Sequence, residues 1–76
     1  MITKKLFTNY NQVEEIQKMA QHCAFDVAFH NEDNTVAIDA KSRLGIYSLD
    51  FEKPVMIVSE NEAFHKRIAN IGQNVA

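Results

Sequence analysis

The chain has 76 residues, of which 46% are hydrophobic and 24% are charged, with two glycines and one proline. That length allows one domain, because a second hydrophobic core would have too few residues, and the composition is globular rather than disordered or collagen-like. The net charge of −2 disfavours a strongly basic nucleic-acid-binding protein, and the single cysteine excludes an intramolecular disulfide and fits a reducing, cytoplasmic setting.

The first predicted elements are a strand and a helix. Residues 2–8 are rich in Thr, Ile, Leu and Phe and predict a strand. Asn11, followed three residues later by Glu14, resembles a capping box that starts a helix over 12–23, and Asn9 is a competing cap two residues earlier. The helix itself is indicated by apolar residues at helical spacing, namely Val13, Ile16, Met19, Ala20 and Cys23.

A hairpin is predicted next. Phe25, Val27 and Phe29 alternate with polar or small residues, which is the periodicity of a strand, and residues 35–40 alternate in the same way. The intervening segment 31–34 contains no apolar residue. The pattern therefore predicts two antiparallel strands joined by a short polar loop.

The second half of the chain predicts a brief helix, a strand and a last helix. Ser42 is a good N-cap for a helix within 42–49, and the β-branched, apolar run 55–59 predicts a buried strand. Ser59 with Glu62 suggests a capping box for the last helix. An apolar stripe follows and stops at a glycine, with Phe64, Ile68 and Ile71 ahead of Gly72. The tail 72–76 is expected to be frayed.

The order βαββαβα predicts an α+β, open-faced β-sandwich: a four-stranded antiparallel sheet with three helices on one face, forming a single domain over 1–76. The longest apolar run, 55–58, is too short to span a bilayer, and no signal peptide is recognisable at the N-terminus, so no membrane partner is expected. Seven residues that follow helix or strand periods are predicted to form the core, namely Met19, Phe25, Phe29, Ile38, Ile57, Phe64 and Ile68.

Residues 39–49 read Asp-Ala-Lys-Ser-Arg-Leu-Gly-Ile-Tyr-Ser-Leu. This stretch resembles the regulatory-serine segment of HPr, the histidine-containing phosphocarrier of the bacterial phosphotransferase system, through the pattern Lys-Ser-x-x-Gly-x-x-Ser-Leu. Two further features strengthen the resemblance: the order βαββαβα is that of HPr, and Phe25-Asp26 at the second strand is similar to the family. The resemblance covers about residues 1–72.

The loop before the first helix departs from this family. HPr carries its phosphoryl group there on a histidine, whereas 8–15 contains no His, Arg or Pro, and Asn11 or Gln12 falls near the histidine position. An amide nitrogen is not nucleophilic, and the charges of Glu14 and Glu15 oppose an incoming phosphate. Histidine phosphotransfer is therefore not expected, and we expect no enzymatic activity.

The regulatory serine is retained at Ser42. The resemblance implies phosphorylation there by an ATP-dependent kinase in carbon catabolite control, which adds about −1.5 to −2 charge at a helix start. In keeping the serine without the histidine, the chain is similar to the catabolite-repression HPr-like proteins. The resemblance also implies partner docking at Arg43, Leu44 and Tyr47, although Arg43 replaces an aliphatic residue. The simpler alternative is that Ser42 is only an N-cap.

Two other functions stay open on the sequence. A phosphocarrier could use a non-standard residue, with His30 or His65 as the candidates, or the domain could act only by dimerising or by filling a complex. Metal binding is not expected, because no C-x-x-C or H-x₃-H spacing exists, and no cofactor is implied. The histidines are predicted to be surface groups and Cys23 a small buried residue. The kinase, the protein partner and the oligomeric state are left open.

Overall fold

One five-stranded antiparallel sheet and two α-helices make up this α+β protein. The computed structural model describes residues 1–75. The strands are β1 (Ile2–Leu6), β2 (Ala28–Asn31), β3 (Ala37–Asp39), β4 (Val55–Val58) and β5 (Gln73–Asn74). The helices are α1 (Tyr10–Gln21) and α2 (Glu62–Arg67), and a single 3-10 turn covers Gly45–Ser48. Within this part of the chain, no helix has the length and the apolar character needed to cross a membrane.

The strands lie in the order β3-β2-β4-β1-β5. Phe29 of β2 is opposite both Ile38 of β3 and Ile57 of β4, so these three residues share one face of the sheet. The helices cover that face. Because side chains alternate along a strand, the intervening residues, such as Ala28 and Ala37, point to the opposite, open face.

The core lies between the covered face and the two helices. α1 contributes buried Val13, Ile16 and Ala20, which recur at helical spacing. Four predicted core residues are buried, namely Phe29, Ile57, Phe64 and Ile68. The other three, Met19, Phe25 and Ile38, are partly buried and pack against that core.

α1 begins earlier than the pattern predicted. Asn9 is its cap, because the Asn9 Oδ1 atom accepts the backbone N–H of Gln12 at 3.2 Å. The Gln12 side chain in turn accepts the N–H of Thr8 at 2.9 Å. The expected cap at Asn11 is therefore wrong, and the competing cap at Asn9 is confirmed.

The predicted helix over 42–49 is only a 3-10 turn of four residues. The last helix is also shorter than expected and ends at Arg67. Its N-cap is Asn61, whose Oδ1 atom accepts the N–H of Phe64 at 2.9 Å. Ser59 instead accepts the N–H of Asn61 at 3.2 Å, so the predicted capping box at Ser59 is wrong. The expectation of three helices is corrected to two α-helices and one 3-10 turn.

The expected fraying of the C-terminal tail is also wrong for Gln73 and Asn74, which form β5 against β1 and add a fifth strand. Gly72 turns the chain into this strand with a φ of 74°, and a Cβ there would lie 3.1 Å from the Phe7 ring. Lys5 of β1 is 0% exposed, and its Nζ atom donates to Asn74 Oδ1 at 2.7 Å. The N–H of Val75 donates to the Lys4 carbonyl at 3.0 Å, and Ala76 lies outside the described residues.

Candidate functional site

Ser42 is held against two elements. Its Oγ atom accepts the backbone N–H of Gly45, the first residue of the 3-10 turn, at 3.0 Å, although the N-cap position of the turn is Leu44 and not Ser42 as the sequence predicted. Its carbonyl accepts the Nε2–H of Gln17 from α1 at 2.8 Å. Ser42 is half-buried. The predicted regulatory serine is therefore a fixed residue, and its hydroxyl lies over the start of the turn.

Gly45 permits this close approach. A Cβ atom at Gly45 would lie 2.9 Å from Ser42 Oγ and 3.2 Å from Ser42 Cβ. Contacts of that length are not tolerated without movement of one partner. The glycine of the Lys-Ser-x-x-Gly pattern is thus required by the position of the Ser42 side chain.

α1 and the 41–43 segment, which carries Ser42, contribute three cations: Lys18, Lys41 and Arg43. Lys41 is engaged, because its Nζ atom donates to the Cys23 carbonyl at 2.9 Å. A cleft of about 260 Å³ lies between α1 and the 3-10 turn, and Lys18 and Arg43 line it. Both of these side chains belong to exposed residues. Because the turn has only four residues, side-chain cations would stabilise a phosphate on Ser42 more than the dipole of the helix that the sequence predicted.

Three exposed residues form what we call the tyrosine patch: Tyr10, Leu44 and Tyr47. Leu44 is 82% exposed, Tyr47 74% and Tyr10 40%. The rings of Tyr10 and Tyr47 stack, with centroids 6.3 Å apart and planes 10° from parallel. Arg43, the third predicted docking residue, is also exposed. The predicted docking residues Leu44 and Tyr47 therefore lie on one surface with the start of α1.

Tyr10 was missed by sequence reasoning, which placed it in a turn between two asparagines. The only signal in the sequence was an aromatic residue at a helix start. Partial burial, followed by the neighbouring Tyr47 and the Glu14 carboxylate, raises the pKa of the Tyr10 phenol. The Tyr10 phenol is therefore protonated at neutral pH.

An aromatic path joins the tyrosine patch to the core. Tyr10 packs edge-on against Phe51, with centroids 6.2 Å apart, and Phe51 packs edge-on against the buried Phe29, at 5.8 Å. Phe7, at the end of β1, also meets Phe51 at 6.0 Å. These ring contacts hold Tyr10 in its orientation from the core side of the patch.

Asn11 and Gln12, the residues near the phosphocarrier position that the HPr resemblance implies, have amide side chains, which are not nucleophilic. Asn11 is exposed on the first turn of α1, and the Gln12 amide is used in the bond to Thr8. Glu14 and Glu15 are exposed on the same helix. This loop is organised by amide–backbone bonds, which leave a neutral cap where a phosphorylated side chain would need cationic support.

Two histidines differ from the simple surface groups that were predicted. His65 is half-buried: its Nδ1 atom lies 2.6 Å from Thr3 Oγ1 and its Nε2 atom 2.9 Å from the Ser59 carbonyl. A carbonyl can only accept, so Nε2–H donates to Ser59 and Nδ1 accepts the Thr3 hydroxyl proton. His30, also half-buried, uses Nδ1 with Asn34 at 3.1 Å.

His22 is exposed, as predicted, and its Nδ1 atom contacts the Lys18 carbonyl at 2.7 Å. Cys23 is half-buried rather than buried, and its thiol donates to the Met19 carbonyl at 3.1 Å. Among residues 1–75, no group of three or more His, Cys, Asp or Glu side chains is placed to hold a metal ion.

Comparison with known proteins identifies no relative. No protein-family model matches the chain, and no curated protein or solved structure is significantly similar to it.

Proposed function

We propose that this chain is an HPr-like regulatory, protein-interaction domain that is controlled by phosphorylation of Ser42 and does not carry out histidine phosphotransfer. The observation that carries the proposal is the placement of Ser42 beside the exposed Leu44 and Tyr47, on a surface shared with Tyr10 of α1. One surface thus combines a modifiable hydroxyl with apolar groups suited to docking. The cytoplasmic setting belongs to the same proposal.

The element order supports this proposal. From β1 to α2 the chain follows strand, helix, two strands, a short helical turn, strand and helix, which is the order that the HPr resemblance implies. The Lys-Ser-x-x-Gly-x-x-Ser-Leu pattern covers the 3-10 turn and its cap. The short β5 is an addition to that order.

In the proposed reaction the Ser42 hydroxyl attacks the γ-phosphorus of ATP, loses its proton, and displaces ADP. The product adds about −1.5 to −2 charge beside Leu44 and Tyr47. The Oγ atom can still accept from Gly45, and the phosphate would lie on the residue before Arg43, which lines the cleft together with Lys18 and Glu14. A partner that docks on the tyrosine patch would therefore meet a changed charge at its border.

The expected loss of histidine phosphotransfer rests on residues 8–15. Their side chains are a threonine, a tyrosine, a valine, amides and carboxylates, and the raised pKa of Tyr10 keeps that phenol protonated. None of these groups forms a phosphoramidate.

The direct test uses the host cell extract as the source of the kinase, with isotopically labelled ATP. We expect label on the wild-type chain, no label on Ser42→Ala, and full label on Ser48→Ala, which removes an exposed serine from the same turn. Equal labelling of all three proteins, or no labelling of any, would contradict the proposal.

The alternative function is a phosphocarrier that uses a non-standard residue. His30 is the more available of its two candidate residues, because both ring nitrogens of His65 are hydrogen-bonded, whereas the contact of His30 involves only Nδ1. Incubation with enzyme I and labelled phosphoenolpyruvate tests this alternative. Label that disappears in His30→Ala and persists in His65→Ala would establish it and overturn the first proposal.

A further inference from the structure

A shallow apolar groove lies on the open face of the sheet, at the end where β3 and β4 finish and β2 begins. Its volume is about 450 Å³. Small and branched side chains line its floor, among them Ala28, Ala37 and Val58. The register places Ala28 opposite both Asp39 and Val58, so these residues share the face that the helices do not cover.

The rim of this groove is acidic. Asp26, Asp39 and Glu60 line it and are exposed, and no lysine or arginine is among the lining residues. The amino group of Met1 lies 4.0 Å from Glu60 Oε1, and the Glu60 side chain remains 99% exposed. The Asp39 carboxylate also accepts the N–H of Lys41 at 2.9 Å through Oδ1. Three carboxylates beside an apolar floor favour a ligand that is both cationic and apolar.

The groove also lies at the edge of the sheet. β3 pairs with β2 on one side only and is the terminal strand in the order. An edge strand can accept an additional extended segment through backbone hydrogen bonds, with specificity supplied by alternate side chains. Ala37 and Asp39 of β3 point to the groove face, so an added strand would place every second side chain beside them.

We propose that this groove binds an extended, basic segment of a partner protein that pairs with β3. An arginine or lysine of that segment would lay its aliphatic stem over Ala37 and Ala28 and bring its charge to Asp39 and Asp26. Apolar side chains two residues away would reach the floor near Val58. This site is separate from the tyrosine patch and does not depend on the function proposed there.

The test titrates the full chain with a labelled eight-residue peptide of alternating arginine and valine, and compares a glutamate–valine peptide of the same length. Binding is followed by amide chemical shifts at low salt. We expect saturable shifts at Ala28, Ala37 and Val58 with the arginine peptide only. No binding at millimolar peptide, equal binding of the glutamate peptide, or shifts elsewhere on the surface would overturn the proposal.

Matched variants separate a specific site from general attraction to an acidic chain. The triple variant Asp26→Asn, Asp39→Asn, Glu60→Gln keeps the side-chain shapes, and the amide of residue 39 can still accept the Lys41 N–H. It should weaken binding about tenfold, since each exposed ion pair contributes a modest share. A control triple, Glu14→Gln, Glu15→Gln, Glu52→Gln, removes the same charge away from the groove and should change the affinity less than about twofold. Equal weakening in both would contradict the proposed site.

A steric variant provides a second, independent check. Ala37 is exposed, so Ala37→Arg should fold normally, which the amide spectrum of the free protein verifies. The new side chain would occupy the groove and offset one of its three negative charges, and the arginine peptide should lose its binding. Undiminished binding to folded Ala37→Arg would overturn the proposal.

Discussion

Tyr10, the first residue of α1, stacks on Tyr47 of the 3-10 turn, with ring centroids 6.3 Å apart and ring planes 10° from parallel. The two residues are distant in the sequence, and the stack connects the start of α1 to the segment that carries Ser42.

The Tyr10–Tyr47 stack should contribute measurable coupling. Tyr10→Ala removes the ring contacts with Tyr47 and Phe51, and we expect the free energy of unfolding in urea to fall by about 1 kcal/mol. A cycle with Tyr47→Ala should give a coupling energy of about 0.5–1.5 kcal/mol. Leu44→Ala is the control, because Leu44 is 82% exposed, and its effect should stay within about 0.5 kcal/mol. A coupling energy of zero would mean that the stack contributes nothing in solution.

Gly45 should not tolerate a side chain while Ser42 is in place. Gly45→Ala puts a methyl group 2.9 Å from Ser42 Oγ, and we expect a loss of about 1–3 kcal/mol in unfolding free energy. Ser42→Ala alone should cost about 1 kcal/mol as a lost hydrogen bond to the Gly45 N–H. The double variant should lose less than the sum of the two, because the clash with Oγ is gone. Strict additivity would show that the two side chains do not compete for space.

Burial lowers the pKa of Lys5 below the ordinary lysine value of 10.5. In the window between the lowered folded value and 10.5, the unfolded chain binds more protons than the folded one, so this group makes stability rise with pH. The urea stability of the wild type should therefore increase relative to Lys5→Met as the pH is raised from neutral toward 10.5. Lys53→Met, at an exposed lysine, should track the wild type. Parallel curves for the wild type and Lys5→Met would contradict the prediction.

His65 should act as a structural connector between β1 and the segment before α2. His65→Ala leaves the Thr3 hydroxyl and the Ser59 carbonyl without this partner, and we expect a loss of about 1–3 kcal/mol. His22→Ala, at an exposed position, should cost less than about 0.5 kcal/mol. Nitrogen NMR at neutral pH should find the neutral form of the His65 ring protonated at Nε2. A neutral ring protonated at Nδ1 would contradict the bond to Ser59.

Much of the fold could be predicted because it depends on local periodicity. The buried strand 55–58 and the alternating run around Phe29 were recognisable from apolar spacing alone. The ends of the helices and strands were harder to predict from the sequence. Asn9 and Asn11 each satisfy the local rules for a cap, and the bond from the Gln12 N–H to Asn9 Oδ1 distinguishes them in the fold. Nothing in the sequence ranked Asn61 above Ser59.

The missed features all depend on contacts between distant residues. β5 is polar and two residues long, and it exists because β1 has an edge to pair with and Lys5 needs an acceptor. Tyr10 is a candidate docking residue only because its ring stacks on Tyr47 in the fold. Ser42, by contrast, could be singled out from its motif, and its Oγ atom accepts the N–H of Gly45 in the fold.

Regulation by phosphorylation of Ser42 is tested most directly by residue-resolved mass spectrometry of the protein purified from its host, which is grown on several carbon sources. The preparation must preserve phosphohistidine. We expect phosphate on Ser42 in at least one condition and none on His30 or His65. Phosphate on a histidine, or an unmodified Ser42 on every carbon source, would contradict it.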